Sequence, residues 1–196
     1  MSTEHRHPDE PGERSRYELM RVKHGILSVV PIPRKIRWCG YLSTFAALPT
    51  PIVLVVPDEV RETYLTGDPA TGPLALVTIV LLGIASLLLA TLGLTWVGSR
   101  ATDDEDLPED RIWQLIGAED AFTGIGFITG ALAVVSGIGL LASGLVGANA
   151  VAWLDANGVD PYLSVPGLSV PPLIGTVASI VVAVVAFGCS RWLASR

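Results

Sequence analysis

Charged residues divide this chain into long apolar windows. None falls between Arg37 and Asp58, between Asp68 and Arg100, between Asp120 and Asp155, or between Asp160 and Arg191. A helix that crosses a bilayer needs about 20 predominantly apolar residues. The first window just suffices, and the other three exceed the requirement. The pattern predicts transmembrane helices at about 37–56, 73–97, 121–146 and 172–191. Soluble helices show one polar face. The second window shows none, since Ile79-Val80-Leu81-Leu82 and Leu87-Leu88-Leu89-Ala90 are apolar all round.

Boundary signals agree with these spans. Pro73 and Pro172 fit the first turn of a helix, where the missing N–H costs nothing. Glu119 and Asp120 place negative charge at the start of the third helix, as its dipole favours. Pro49 and Pro51 lie inside the first window and predict a kink or an early stop. Residues 1–16 are polar and read as a disordered tail, with no secretory signal. Residues 17–35 mix apolar and basic side chains, which suits either an amphipathic helix on the membrane surface or a plain basic flank. Residues 36–196 form the four-helix transmembrane domain. The fold class is all-α, an integral membrane bundle.

Composition strengthens this reading. Half of the 196 residues are apolar and 16% are charged, with a mean hydropathy of +0.52. The net charge of −6 conceals an asymmetry. Twelve Lys and Arg fall in the segments on one side of the spans, and only Arg61 falls on the other. Basic segments stay cytoplasmic, so both termini are expected inside a cell membrane. Arg16, Arg21, Lys23, Arg34, Lys35 and Arg37 are expected at lipid headgroups. Trp38, Trp96, Trp113 and Trp192 are expected as interfacial anchors on that side, with Tyr64, Trp153 and Tyr162 opposite. The acidic loops and scarce lysine resemble proteins of salt-loving archaea or high-GC bacteria. The whole resembles small four-span proteins of prokaryotic genomes, which implies no mechanism.

Candidate chemistry is sparse. No charged residue lies deep in any expected span, which counts against a proton-coupled transporter, a pump or a voltage sensor. Gly126, Gly130, Ala133, Gly137, Gly144 and Gly147 form a small-residue stripe on the third helix, suited to close packing within the bundle or between copies. Cys39 and Cys189 read as small apolar residues near the inner ends of their helices. Hydrolase, phosphate-loop, zinc-protease and EF-hand motifs are absent. The acidic run from Asp103 to Asp110 reads as solvated charge, and Arg111–Ile116 as a helical turn or two resting on the membrane through Ile112, Trp113, Leu115 and Ile116. The apolar, Gly- and Pro-rich segment 147–171 reads as a loop packed on the outer face or as a docking surface. Trp96-Val-Gly-Ser-Arg100 and Trp192-Leu-Ala-Ser-Arg196 echo each other, as helices with the same interfacial anchors do.

No cofactor, metal or nucleic acid is implied; the expected partners are lipid and other membrane subunits or further copies of the chain. Three roles stay open. One is a non-catalytic structural or accessory subunit of a membrane complex. The second is a small-solute transporter or channel lined by Thr78, Thr129, Ser136 and Thr176. The third is an enzyme at the inner face, where Glu119, Asp120 and Arg100 converge.

Overall fold

A computed structural model describes Met20 and residues 30–65, 68–103 and 108–195. Arg16, Arg21, Lys23, the tail and most of the basic segment lie outside these residues, as do 104–107 of the acidic run. The described chain is helical, with one isolated bridge between Leu74 and Val170. Its helices are α1 (Ile32–Phe45), α2 (Pro49–Val55), α3 (Asp58–Tyr64), α4 (Ala75–Asp103), α5 (Glu109–Ala121), α6 (Thr129–Ala142), α7 (Ala148–Ala156) and α8 (Pro172–Ala194). A π-helical segment, Phe122–Ile128, joins α5 to α6, and a 3-10 turn, Ser143–Val146, follows α6.

Among the described residues, four helical stretches are long and apolar enough to span a bilayer: Ile32–Val55, Ala75–Thr102, Glu109–Val146 and Pro172–Ala194. Each overlaps one of the four expected spans, but the ends differ. The first begins at Ile32, because Pro33 stands in the opening turn, where a helix tolerates it, and Pro31 precedes it. The third begins at Glu109, so α5 runs without interruption into the apolar stretch. Its 38 residues would reach about 57 Å at 1.5 Å per residue, far beyond a hydrocarbon core of about 30 Å.

The proline pair breaks the first span between α1 and α2. Pro49 and Pro51 have no N–H, so the carbonyls of Phe45 and Ala47 lose their usual i+4 donors. The Leu48 N–H turns back to Phe45 O at 3.2 Å. The hydroxyl of Thr176 on α8 donates to Ala47 O at 2.9 Å, and Ser179 donates to Ala46 O at 2.8 Å. Two side chains of the last helix thus satisfy carbonyls that the first helix leaves open, as a low-dielectric setting requires.

Contacts define two ends. Ser190 donates to Pro33 O at 2.9 Å, and a Cβ on Gly98 would meet Leu193 and Ile32. The start of α1 and the ends of α4 and α8 therefore lie together. At the opposite end, Thr78 donates to Leu168 O at 2.5 Å, and Leu74 pairs with Val170. Consecutive spans alternate in direction.

The small-residue stripe packs within the chain. A Cβ on Gly126 would sit 2.8 Å from Ala90, one on Gly130 2.8 Å from the Gly83 carbonyl, and one on Gly137 2.6 Å from Val80. Ala133 faces Gly83. Gly144 abuts the Tyr162 hydroxyl, whereas Gly147 is surrounded by open space and serves a different purpose, a φ of 118° that starts α7. Away from these seams the helices are apolar outward: Leu82, Leu89, Ile125, Leu132, Val135, Val181 and Val184 are all exposed.

The segment 147–171 is not wholly a loop, because α7 occupies its first part. Its second part docks on the molecule through the Ala75 N–H to Leu163 O bond of 2.9 Å and through Tyr162, which is buried and donates to Leu141 O at 2.8 Å. Trp153, Leu163 and Leu168 stay exposed.

Candidate functional site

The first residues of α1 show why its position matters. Ile32, Lys35, Ile36, Cys39, Gly40 and Ser43 recur at helical spacing and are all buried. Lys35 falls on this inner stripe, while Arg34 and Arg37 fall outside it and are exposed. On the third span Ile112, Leu115, Ile116 and Glu119 form the corresponding buried stripe of α5. Where the two stripes meet, Lys35 Nζ donates to Glu119 Oε1 at 2.7 Å and to Thr123 Oγ1 at 3.2 Å. The Thr123 hydroxyl in turn donates to the Glu119 carbonyl at 2.7 Å. Only 3% of the Lys35 side chain and 1% of the Glu119 side chain are exposed.

This cluster corrects several expectations. Lys35 is not a headgroup contact, because its ammonium is enclosed with a carboxylate. Glu119 takes Lys35 as its ion-pair partner, and Arg100 stands exposed at the end of α4 without an ion pair to another described residue. A site of Glu119, Asp120 and Arg100 is one reading of the sequence beside helix capping and a surface ion pair, and the ion pair seen at Glu119 is with Lys35. Lys35 and Glu119 fall near the starts of two of the stretches long enough to cross a membrane, so neither places a charge deep in an apolar span. Placing the first span at 37 and the third at 121 left both residues outside.

Chemically, the two groups are an ion pair held away from solvent. A buried ion pair in low dielectric holds only when its remaining donors and acceptors are satisfied, and Thr123 supplies one such partner. The π-helical segment begins one residue before Thr123, and Gly124 and Gly126 in it weaken the α preference. Phe122 fits against Gly93 of α4 at this point, and Phe127 lies 6.3 Å from the Trp38 ring. The pair thus sits at the junction of three spans.

Other candidate residues do not line a shared path. Thr78 is bound to Leu168 O, and Thr176 to Ala47 O and Thr50 Oγ1. Thr129 and Ser136 face outward beside the exposed Leu132 and Val135. Ile112, Leu115 and Ile116 are buried against the protein and do not rest on a membrane; of that group Trp113 alone is exposed. Trp38, Trp96 and Trp192 are exposed at the end where α1 begins and α8 finishes. Cys39 and Cys189 are free thiols. Among the described residues, no group of three or more His, Cys, Asp or Glu side chains could hold a metal ion.

The class defined by these features is an all-helical fold with, among the described residues, four helices of membrane-spanning length and apolarity. Comparison with known proteins finds no matching family model, no matching curated protein and no matching solved structure.

Proposed function

We propose that the chain is a non-catalytic, multi-pass membrane protein: a packed four-helix bundle with both termini on the cytoplasmic side, serving as a structural or accessory subunit of a membrane complex. The observation that carries this reading is the enclosed Lys35–Glu119 pair. An ionisable group inside a membrane helix marks function by default. Here each group is taken up by the other at 2.7 Å, and the result is a joint between the first and third spans. Of the hydroxyls offered as a solute path, Thr78 and Thr176 close a helix end and a break, and Thr129 and Ser136 face outward. The distribution of basic residues sets the cytoplasmic side, and the outward-facing Leu, Ile and Val form a surface suited to lipid.

Purification from native membranes in mild detergent tests the role. A stable complex larger than one chain is expected, with reproducible companion subunits or further copies; a solitary monomer would count against it. Solute flux through reconstituted vesicles at a rate above empty controls would instead favour transport.

A further inference from the structure

We propose that the groove between α1 and α8, at the end where α1 begins, binds the headgroup of one anionic phospholipid. Its walls are Arg37 and Tyr41 on α1, and Phe187, Ser190 and Arg191 on α8. Both guanidiniums are exposed, and neither makes an ion pair with a described residue. Two arginines facing one groove from separate helices match a phosphodiester, which arginine binds through paired N–H donors.

The groove is shaped as well as charged. Phe187 nests over Gly40, where a Cβ would come within 2.9 Å of the ring. The same ring meets Tyr41 edge to face at 5.3 Å. The Ser190 hydroxyl is turned inward to Pro33 O, so it closes the floor and does not meet a ligand. Spacing of three or four residues continues each wall away from its arginine: Arg37, Tyr41 and Phe45 on α1, and Arg191, Phe187 and then Val184 and Ile180 on α8. Phe45, Val184 and Ile180 are exposed. A charged mouth therefore opens onto an apolar track running along the spans. A soluble phosphate would use only the mouth, whereas a phospholipid uses both parts. The arginines and the aromatic pair also lie where the first and last spans reach one end, the depth of headgroups in the membrane reading on which this site rests.

The test uses the full-length protein in mild detergent, with bound lipid counted by native mass spectrometry. Phosphatidylglycerol and phosphatidylcholine are titrated separately, and inorganic phosphate is added as a competitor. The wild type is expected to retain one phosphatidylglycerol at concentrations where phosphatidylcholine is lost. R37Q/R191Q should lower that occupancy about tenfold or more, and R34Q, which alters an exposed arginine outside the groove, by less than about twofold. Equal retention of the two lipids overturns the site, as does an unchanged R37Q/R191Q. So does an R34Q loss as large as that of the double variant, which indicates diffuse attraction to the basic flank. Complete displacement by inorganic phosphate overturns the lipid assignment. If the double variant does not fold, the wild-type preference and R37Q alone decide. A chain that stays folded in detergent-free buffer defeats the membrane reading itself, before any lipid is added.

Discussion

Lys35 and Glu119 together set a stability question that neither sets alone. Removing one partner of an enclosed pair strands the other charge, at a cost of about 3–5 kcal/mol, whereas replacing both with apolar groups of similar size is often neutral. K35M and E119Q should each lower the thermal midpoint in detergent sharply, and K35M/E119L should recover most of the loss. Three equally small shifts would show that the pair bears no part of the fold. Tyr162 poses a second question outside the spans. Burial pushes its phenol up from 10.0 to about 12, because desolvation disfavours the phenolate. A group whose folded pKa is raised contributes stability below its unfolded value and loses it as pH climbs through the folded one. Ultraviolet titration should therefore show one tyrosine ionising near pH 12, with stability falling between about 10 and 12. Y162F should lack that component and be less stable by about 1 kcal/mol. Neither residue was legible as a partner in sequence. The Lys35 signal lay in its spacing from Ile32, Ile36 and Cys39, which becomes visible only once the helix is allowed to start at Ile32. Its contact with Glu119, 84 positions away, is a matter of tertiary packing.

At the scale of the element, the glycines of the third span fall into two groups, and the small-residue stripe separates them except at Gly147. Gly130 touches the backbone of α4, while Gly139 has nothing within 4 Å of its would-be Cβ. G130L should force the third span from α4 and destabilise by about 1–3 kcal/mol; G139L should stay within about 0.5 kcal/mol of wild type. Unfolding in a graded denaturing detergent compares them, and equal effects would remove the glycine seam as a cause of packing. The broken first span offers the complementary case. T176V/S179A leaves the carbonyls of Ala46 and Ala47 without their hydroxyl donors, at about 1–3 kcal/mol for each unsatisfied group. Protection of amides around the break should fall in hydrogen exchange; unchanged protection would mean the two hydroxyls are incidental. The prolines announced this break in sequence. The donors that repair it could not be read there, since Thr and Ser in an apolar helix point equally well to a pore lining or to a neighbour's backbone.

The whole molecule was legible in outline: four apolar stretches, helical throughout, with a small-residue stripe on the third. Helix ends were not, because α5 is amphipathic and reads as a separate surface turn until Ile112, Leu115 and Ile116 are seen to pack inward. Likewise α7 is hidden in a Gly-rich stretch, where it starts after Gly147, with φ at 118°. The first and last spans, α1 and α8, pack directly on each other. That adjacency dictates an order of events during synthesis. The carbonyls exposed at the proline break are made early, but Thr176 lies 129 positions further along the chain than Ala47. In a membrane, a nascent first span is expected to keep this polar backbone unmatched until the final span emerges. Chains that terminate after Gly158 should accordingly be inserted and then cleared by membrane proteases much faster than the full-length product, as pulse-chase labelling would reveal. Truncated and complete chains with equal half-lives would show that the early span matures unaided.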